Sequence, residues 1–360
     1  MLYYQHMGKS EKWIFDDKNK AKRLFFAIFS LVLFLFLISE ANDSFSSVSA
    51  GKKFLASGFS AFGKETTAPV FDYAPVYAPK ENNDSPSISA LSYLGAYLGE
   101  NGKTTIIAEK NTDDLLPMAS ITKLMTAIVA YKNYEMEDKI EMGTKVNDWQ
   151  DSSKRFIPGT VFKIGDIFRA LLIESNNDSA MALANKIGMN NFMIKMNDEA
   201  RQLGMITTHY DNPVGLDPTS KKEIINYSTA KELLVLMEEI IKNYPEILET
   251  TSLPQYDIKT VSGGYNHTAV STNKFLSDEK EKLFCNDEQA KILGGKTGST
   301  DLAKKNLILA LESPNGHGYL ITIILSAGDS FSETKNLVNW LCENYDWPKP
   351  AENVLQNGVY

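Results

Sequence analysis

The chain has 360 residues, of which 43% are hydrophobic and 23% charged, enough apolar material for a sizeable core. Its net charge of −8 excludes a nucleic-acid partner of the basic-patch kind. The only cysteines, Cys285 and Cys342, are too few for a disulfide framework and fit no metal-ligand spacing, so no metal or cofactor is expected. One disulfide, in an exported domain, and two separate buried thiols are both open readings.

Taken in chain order, the first feature is Leu24 to Ile38, LFFAIFSLVLFLFLI, an almost unbroken apolar run after the basic flank Lys18, Lys20, Lys22 and Arg23. It reads as an export signal or a single membrane anchor, with the rest of the chain outside the cytoplasm. Ser39-Glu40-Ala41 offers a cleavage site, in which case the protein is secreted. A run of 15 residues rises about 22 Å as a helix, short of a hydrocarbon core of roughly 30 Å. Residues 42–86, rich in Ser, Ala, Gly, Pro and Tyr without periodicity, read as a disordered linker. The folded catalytic part is expected over 87–350.

Within it, Ile88 to Leu98 and Thr104 to Ala108 read as strands around the hairpin signal Glu100-Asn101-Gly102. Pro117 is expected to open a helix, ASITKLMTAIVAYKNY, with apolar residues at helical spacing. Further helices are expected at 164–174, 178–187, 191–203 and 228–242. Lys291 to Ser299, Asn306 to Leu311 and Tyr319 to Ser326 read as strands, with a turn at Pro314-Asn315-Gly316. Glu333 to Tyr345 reads as an amphipathic closing helix. Strands at both ends and helices between them predict an α+β fold. Its antiparallel sheet is formed from both chain ends, with flanking helices and an inserted all-helical lobe, and a cleft lies between the two.

Three short motifs carry chemistry. In Ser120-Ile121-Thr122-Lys123, positions i and i+3 share a helix face, so the Lys amine reaches the Ser hydroxyl. A serine becomes a nucleophile only with a base beside it. Lysine serves as that base only when burial or a second cation lowers its pKa. The same spacing starts at Ser49, Ser228, Ser271, Ser277 and Ser332, so the motif alone does not select Ser120. The second motif is Ser175-Asn176-Asn177, a loop between two predicted helices. Its hydroxyl can relay a proton and its amide can hold a substrate carbonyl; alternatively Asn177 or Asp178 only caps the next helix. The third is Lys296-Thr297-Gly298 on a predicted strand. There Gly lets substrate approach the edge, Lys296 supplies a second cation, and Thr297 and Ser299 can bond a carboxylate.

Together, and in this order, the three motifs resemble those of the penicillin-binding proteins and serine β-lactamases. From about Ser89 to Trp340 the chain resembles the D-alanyl-D-alanine carboxypeptidases of low molecular mass, through LPMASITKLMTA, GTVFKIGDIFRALLIESNNDSAMALA, NPVGLD, NYSTAKELLVLM and STNKFL. The resemblance implies a β-lactamase/transpeptidase-like fold. It implies that Ser120 attacks D-Ala–D-Ala of a peptidoglycan stem peptide, with Lys123 as general base and Ser175 relaying the proton to the leaving amine. Asn177 would position the substrate amide, Lys296 would support the Ser–Lys field, and Thr297 would bind the terminal carboxylate. The N–H groups of Ser120 and Ser299 would form the oxyanion hole. β-Lactams would acylate Ser120 as covalent inhibitors, and a D,D-endopeptidase, a β-lactamase and a catalytically weak sensor are the neighbouring readings. The chain departs from the family in three places. No Arg follows the Lys-Thr-Gly strand, Lys304 stands where relatives often carry Gly, and no β-rich C-terminal domain follows the last helix, which favours membrane attachment at the N-terminus.

Overall fold

The computed structural model describes residues 74–77, 85–143, 152–217 and 225–348. The apolar run at Leu24–Ile38 and nearly all of the expected linker lie outside these residues. Among the described residues no helix is long and apolar enough to cross a membrane. Val76–Tyr77, within the stretch expected as linker, pair antiparallel with Tyr345–Asp346.

The helices are α1 (Thr122–Asn133), α2 (Ile164–Ile173), α3 (Asn177–Lys186), α4 (Met189–Gln202), α5 (Ala230–Asn243), α6 (Pro245–Ser252), α7 (Lys274–Ser277) and α8 (Ser330–Asn344). The strands that build the site are β1 (Ser92–Leu98), β2 (Thr104–Lys110), the hairpin β3 (Gln255–Lys259) and β4 (Tyr265–Val270), then β5 (Ile292–Thr300), β6 (Lys304–Glu312) and β7 (Tyr319–Ala327). The central sheet has the order β5-β6-β7-β1-β2 and is antiparallel throughout. Strands from both ends of the folded part thus meet in one sheet, as the element pattern predicts.

The inner strands read as continuous apolar runs because both faces of the sheet are covered. On β7, Ile321, Ile323 and Leu325 join the larger core with α1, α2 and α5, whereas Leu320 and Ile324 join a second cluster with Leu337, Val338 and Leu341 of α8. The same alternation runs along β6, where Ile308 and Ala310 face one way and Leu307, Leu309 and Leu311 the other. α1 is buried along Thr122–Ala130, and so has no exposed face until its last turn.

Two helix starts differ from the sequence reading, and two elements were not foreseen. Pro117 does not open a helix; Leu116–Pro117 pair with Tyr227–Ser228, and a 3-10 turn over Ala119–Ile121 leads into α1. α8 begins before Glu333, because the Asp329 side chain accepts from Phe331 N and caps the helix there. The β3–β4 hairpin and α6 carry no motif strong enough to stand out from their neighbours. The turn signals hold: Gly102 has φ +78° and Gly316 φ +76°.

Cys285 and Cys342 are joined as a disulfide, 57 residues apart, linking the short Phe284–Cys285 strand to α8. A loop-entropy account assigns about 4 kcal/mol to such a bridge. Reduction, or Cys342→Ser, is therefore expected to lower the unfolding free energy by about that amount in urea titrations. An unchanged midpoint contradicts it.

Candidate active site

Ser120 lies in the middle of the 3-10 turn before α1. The residue before it, Ala119, has φ 49°, a left-handed conformation that costs a non-glycine residue about 1–2 kcal/mol. Such strain persists only where the surroundings enforce it. Two glycines do so. A Cβ on Gly215, which itself has φ +87°, would lie 1.9 Å from the Ala119 carbonyl oxygen. A Cβ on Gly298 of β5 would lie 2.8 Å from Met118 O and 3.2 Å from Ser120 N. The turn is therefore clamped between a loop and a strand that approach closer than any side chain allows.

Lys123 Nζ donates to Ser120 Oγ at 2.8 Å and to the Val214 carbonyl at 2.9 Å. Lys123 is fully buried. Burial, and then the charge of Lys296, hold its pKa well below the usual lysine value. Deprotonated, such an amine can accept a hydroxyl proton along the same contact. The loop that supplies Val214 is NPVGLD. Asn212 Oδ1 accepts from the N–H groups of Val214 and Gly215 at 3.1 and 2.6 Å, and Asn226 Nδ2 donates to Asn212 O at 2.7 Å and to Thr122 Oγ1 at 2.9 Å. The segment resembled the family without an assigned role; its part here is to aim a carbonyl at Lys123.

Ser175 lies between α2 and α3 with φ 60°. Lys296 Nζ donates to Ser175 Oγ at 2.8 Å and to Thr297 O at 3.0 Å. Lys296 is buried, and burial lowers its pKa to about 7. Two Ser–Lys pairs, each a buried lysine against a half-buried serine, therefore line the same site, one between the 3-10 turn and α1 and one between loop and strand. Ser120, Ser175, Thr297, Gly298 and Ser299 line one cleft of about 380 Å³, with Thr272, Lys274, Lys305, Asp329, Ser330 and Phe331 on its walls. Thr272 Oγ1 and Thr297 Oγ1 are 2.6 Å apart.

Asn177 is half-buried at the first position of α3 and is not among the residues lining this cleft. The helix cap is neither Asn177 nor Asp178 but Asn176, whose side chain accepts from Ser179 N at 2.9 Å. Lys304 has φ 60° at the start of β6, a conformation that favours glycine. Among the described residues, no cluster of His, Cys, Asp and Glu could hold a metal ion.

Burial separates Ser120 from its rivals. Of the competing S-x-x-K lysines, Lys231 pairs with Asp113 while 41% exposed, Lys335 pairs with Glu281 while 34% exposed, and Lys274 and Lys280 are exposed. Ser49 lies outside the described residues.

Residues 80–328 match the family described as D-alanyl-D-alanine carboxypeptidase. The chain belongs to that family. It is 27% identical over 289 residues to the D-alanyl-D-alanine carboxypeptidase DacC of Escherichia coli, covering 75% of this chain and 66% of the relative. It is 28% identical over 291 residues to the carboxypeptidase DacA of Haemophilus influenzae, covering 76% and 68%. The chain thus spans about two thirds of the length of these relatives. Among solved structures, penicillin-binding protein D2 of Listeria monocytogenes in its ampicillin-bound form superposes with a TM-score of 0.55 at 28% identity, covering 71% of this chain and 98% of that one. The fold is that of the penicillin-binding proteins.

Proposed function

We propose that this chain is a serine-type D-alanyl-D-alanine carboxypeptidase that trims peptidoglycan stem peptides through an acyl-enzyme on Ser120. The observation that carries this reading is the pair of contacts between a buried lysine and a cleft serine, Ser120–Lys123 and Ser175–Lys296, opening on one cleft edged by Thr297 and Ser299. Neutral Lys123 takes the Ser120 proton as Oγ attacks the penultimate D-Ala carbonyl. The oxyanion forms against the N–H groups of Ser120 and Ser299, where the close packing of Gly298 on the Ser120 turn holds strand and turn together. The C–N bond breaks as Ser175 Oγ delivers a proton to the departing amine, and Lys296 restores it. Water then attacks the ester, its proton returning to Lys296 by way of Ser175, while Lys123 gives its proton back to the departing Ser120 Oγ and the shortened peptide is released. The same reading gives Asn177 the substrate amide, which it would have to reach from the start of α3, outside the residues that line the cleft. β-Lactams acylate the same serine.

The substrate's terminal carboxylate needs a counter-charge, and no arginine follows β5 in the sequence. Thr297 and Ser299 supply hydroxyls. Two cations stand on the same wall: Lys305, directly across from Ser299 in the β5–β6 register, and Lys274, whose Nζ lies 5.6 Å from the Phe331 ring centroid. Neither forms an ion pair among the described residues. Lys274→Ala combined with Lys305→Ala is expected to raise KM for the D-Ala–D-Ala peptide roughly tenfold at low salt, with the difference shrinking at high salt. An unchanged KM would assign the carboxylate to the hydroxyls alone.

The disulfide and the apolar run with its basic flank support an exported chain, held at the membrane by its N-terminal segment or secreted after cleavage. Release of D-Ala from a stem pentapeptide tests the function. Release supports the carboxypeptidase. Cleavage of cross-linked dimers instead identifies an endopeptidase, rapid turnover of penicillin a β-lactamase, and labelling by penicillin without D-Ala release a sensor.

A further inference from the structure

Glu174 ends the segment before Ser175, and its side chain is 6% exposed. A carboxylate so buried needs partners, because unpaired it costs several kcal/mol. It has three. Arg155 Nη1 donates at 2.9 Å, His267 Nε2 at 3.0 Å and Asn176 Nδ2 at 2.7 Å. The donors come from separate segments: the loop before β-paired Val161, strand β4 and the Ser175 turn itself. His267 packs edge-on against Phe156, with ring centroids 5.4 Å apart. Asn176 also caps α3 and donates to Ser153 Oγ at 3.0 Å. Directly after this knot comes Ser175, in a left-handed conformation that non-glycine residues adopt only when held there.

We propose that Glu174 is a positioning residue for acyl transfer. By gathering Arg155, His267 and Asn176 it fixes the turn that keeps the Ser175 hydroxyl on Lys296. This rests on the reading of Ser175 as the group that protonates the leaving amine. The consequence is a dependence on the leaving group. An amine departs only when protonated, whereas a thiolate departs without a proton. A displaced Ser175 penalises the amide substrate and spares a thioester of the same acyl group. A merely structural role lowers both together.

The test uses the full chain with a D-Ala–D-Ala peptide and the matching D-alanyl thioester, comparing kcat/KM, which reports acylation. Glu174→Ala is expected to lower the amide value by on the order of 10- to 100-fold, since ångström-scale misplacement of a catalytic group costs about that much. The thioester value should stay within about threefold of the parent. Glu174→Gln, which keeps the size and an acceptor oxygen, should recover part of the amide rate. Arg155→Ala and His267→Ala each remove one donor and should shift the amide-to-thioester ratio in the same direction by a few-fold; they decide the matter if Glu174→Ala does not fold. A parallel loss on both substrates, or an unchanged ratio in the folded variants, overturns the proposal. A parent protein that hydrolyses neither substrate and is not labelled by penicillin fails the carboxypeptidase reading itself.

Discussion

Lys123→Met is expected to reduce D-Ala release and penicillin acylation by about 10⁴-fold, the upper range for loss of a general base, while the fold is retained. Methionine keeps most of the volume, so the core around α1 loses little packing. What disappears is the amine 2.8 Å from Ser120 Oγ. No second base replaces it, because the other buried amine, Lys296, is bonded to Ser175 and to Thr297 O. The parent also bears the cost of burying an ionisable group, which the variant lacks. Urea unfolding should therefore show equal or higher stability for the variant at neutral pH. Acylation within tenfold of the parent would contradict Lys123 as the base.

The second large effect is on pH dependence. In the proposed mechanism Lys123 works as the neutral amine, so activity is expected to rise with pH as it loses its proton. Its lowered pKa places that rise well below the usual lysine range. Burial is the first cause and the Lys296 charge the second. Lys296→Ala removes the like charge, so the Lys123 pKa moves up and the rising limb moves to higher pH. At neutral pH the variant should lose on the order of tenfold or more, with partial recovery under alkaline conditions. Burial also lowers the Lys296 pKa to about 7, so the parent profile is expected to report two interacting sites, with apparent values that belong to the pair. The measurement is kcat/KM for D-Ala release across pH. A rising limb at the same pH in parent and variant would remove the coupling between the two lysines.

Much of this site was legible in the sequence because its parts are local. Ser120 and Lys123 share a helix face by spacing alone, and Lys296-Thr297-Gly298 announces a strand edge that must pack closely. Strands at both ends of the folded part, with helices between them, placed the sheet because β1, β6 and β7 carry long apolar runs. What was not legible depends on contacts between distant segments. Which S-x-x-K lysine is buried cannot be read from spacing; the core around α1 decides it for Lys123. The carbonyl of Val214 reaches Lys123 across 91 residues, and the hydrogen bond exists because Asn212 and Asn226 fold the intervening loop. Pro117 looked like a helix opener, yet pairing with Tyr227 puts it in a strand and leaves the 3-10 turn to begin at Ala119. Glu174 looked like the tail of an apolar helix. Only its burial against Arg155 and His267 marks it out. The pairing of Cys285 with Cys342 likewise waited for the approach of α8 to the short strand before β5.

The central claim is that Ser120 forms the acyl-enzyme. Intact-mass analysis of the chain after incubation with penicillin, followed by peptide mapping, tests it most directly. The account predicts one equivalent of penicilloyl adduct on the peptide carrying Ser120, and none on Ser120→Ala under the same conditions. A persistent adduct on Ser120→Ala, or an adduct mapped to Ser175, Ser228 or Ser271, would contradict it.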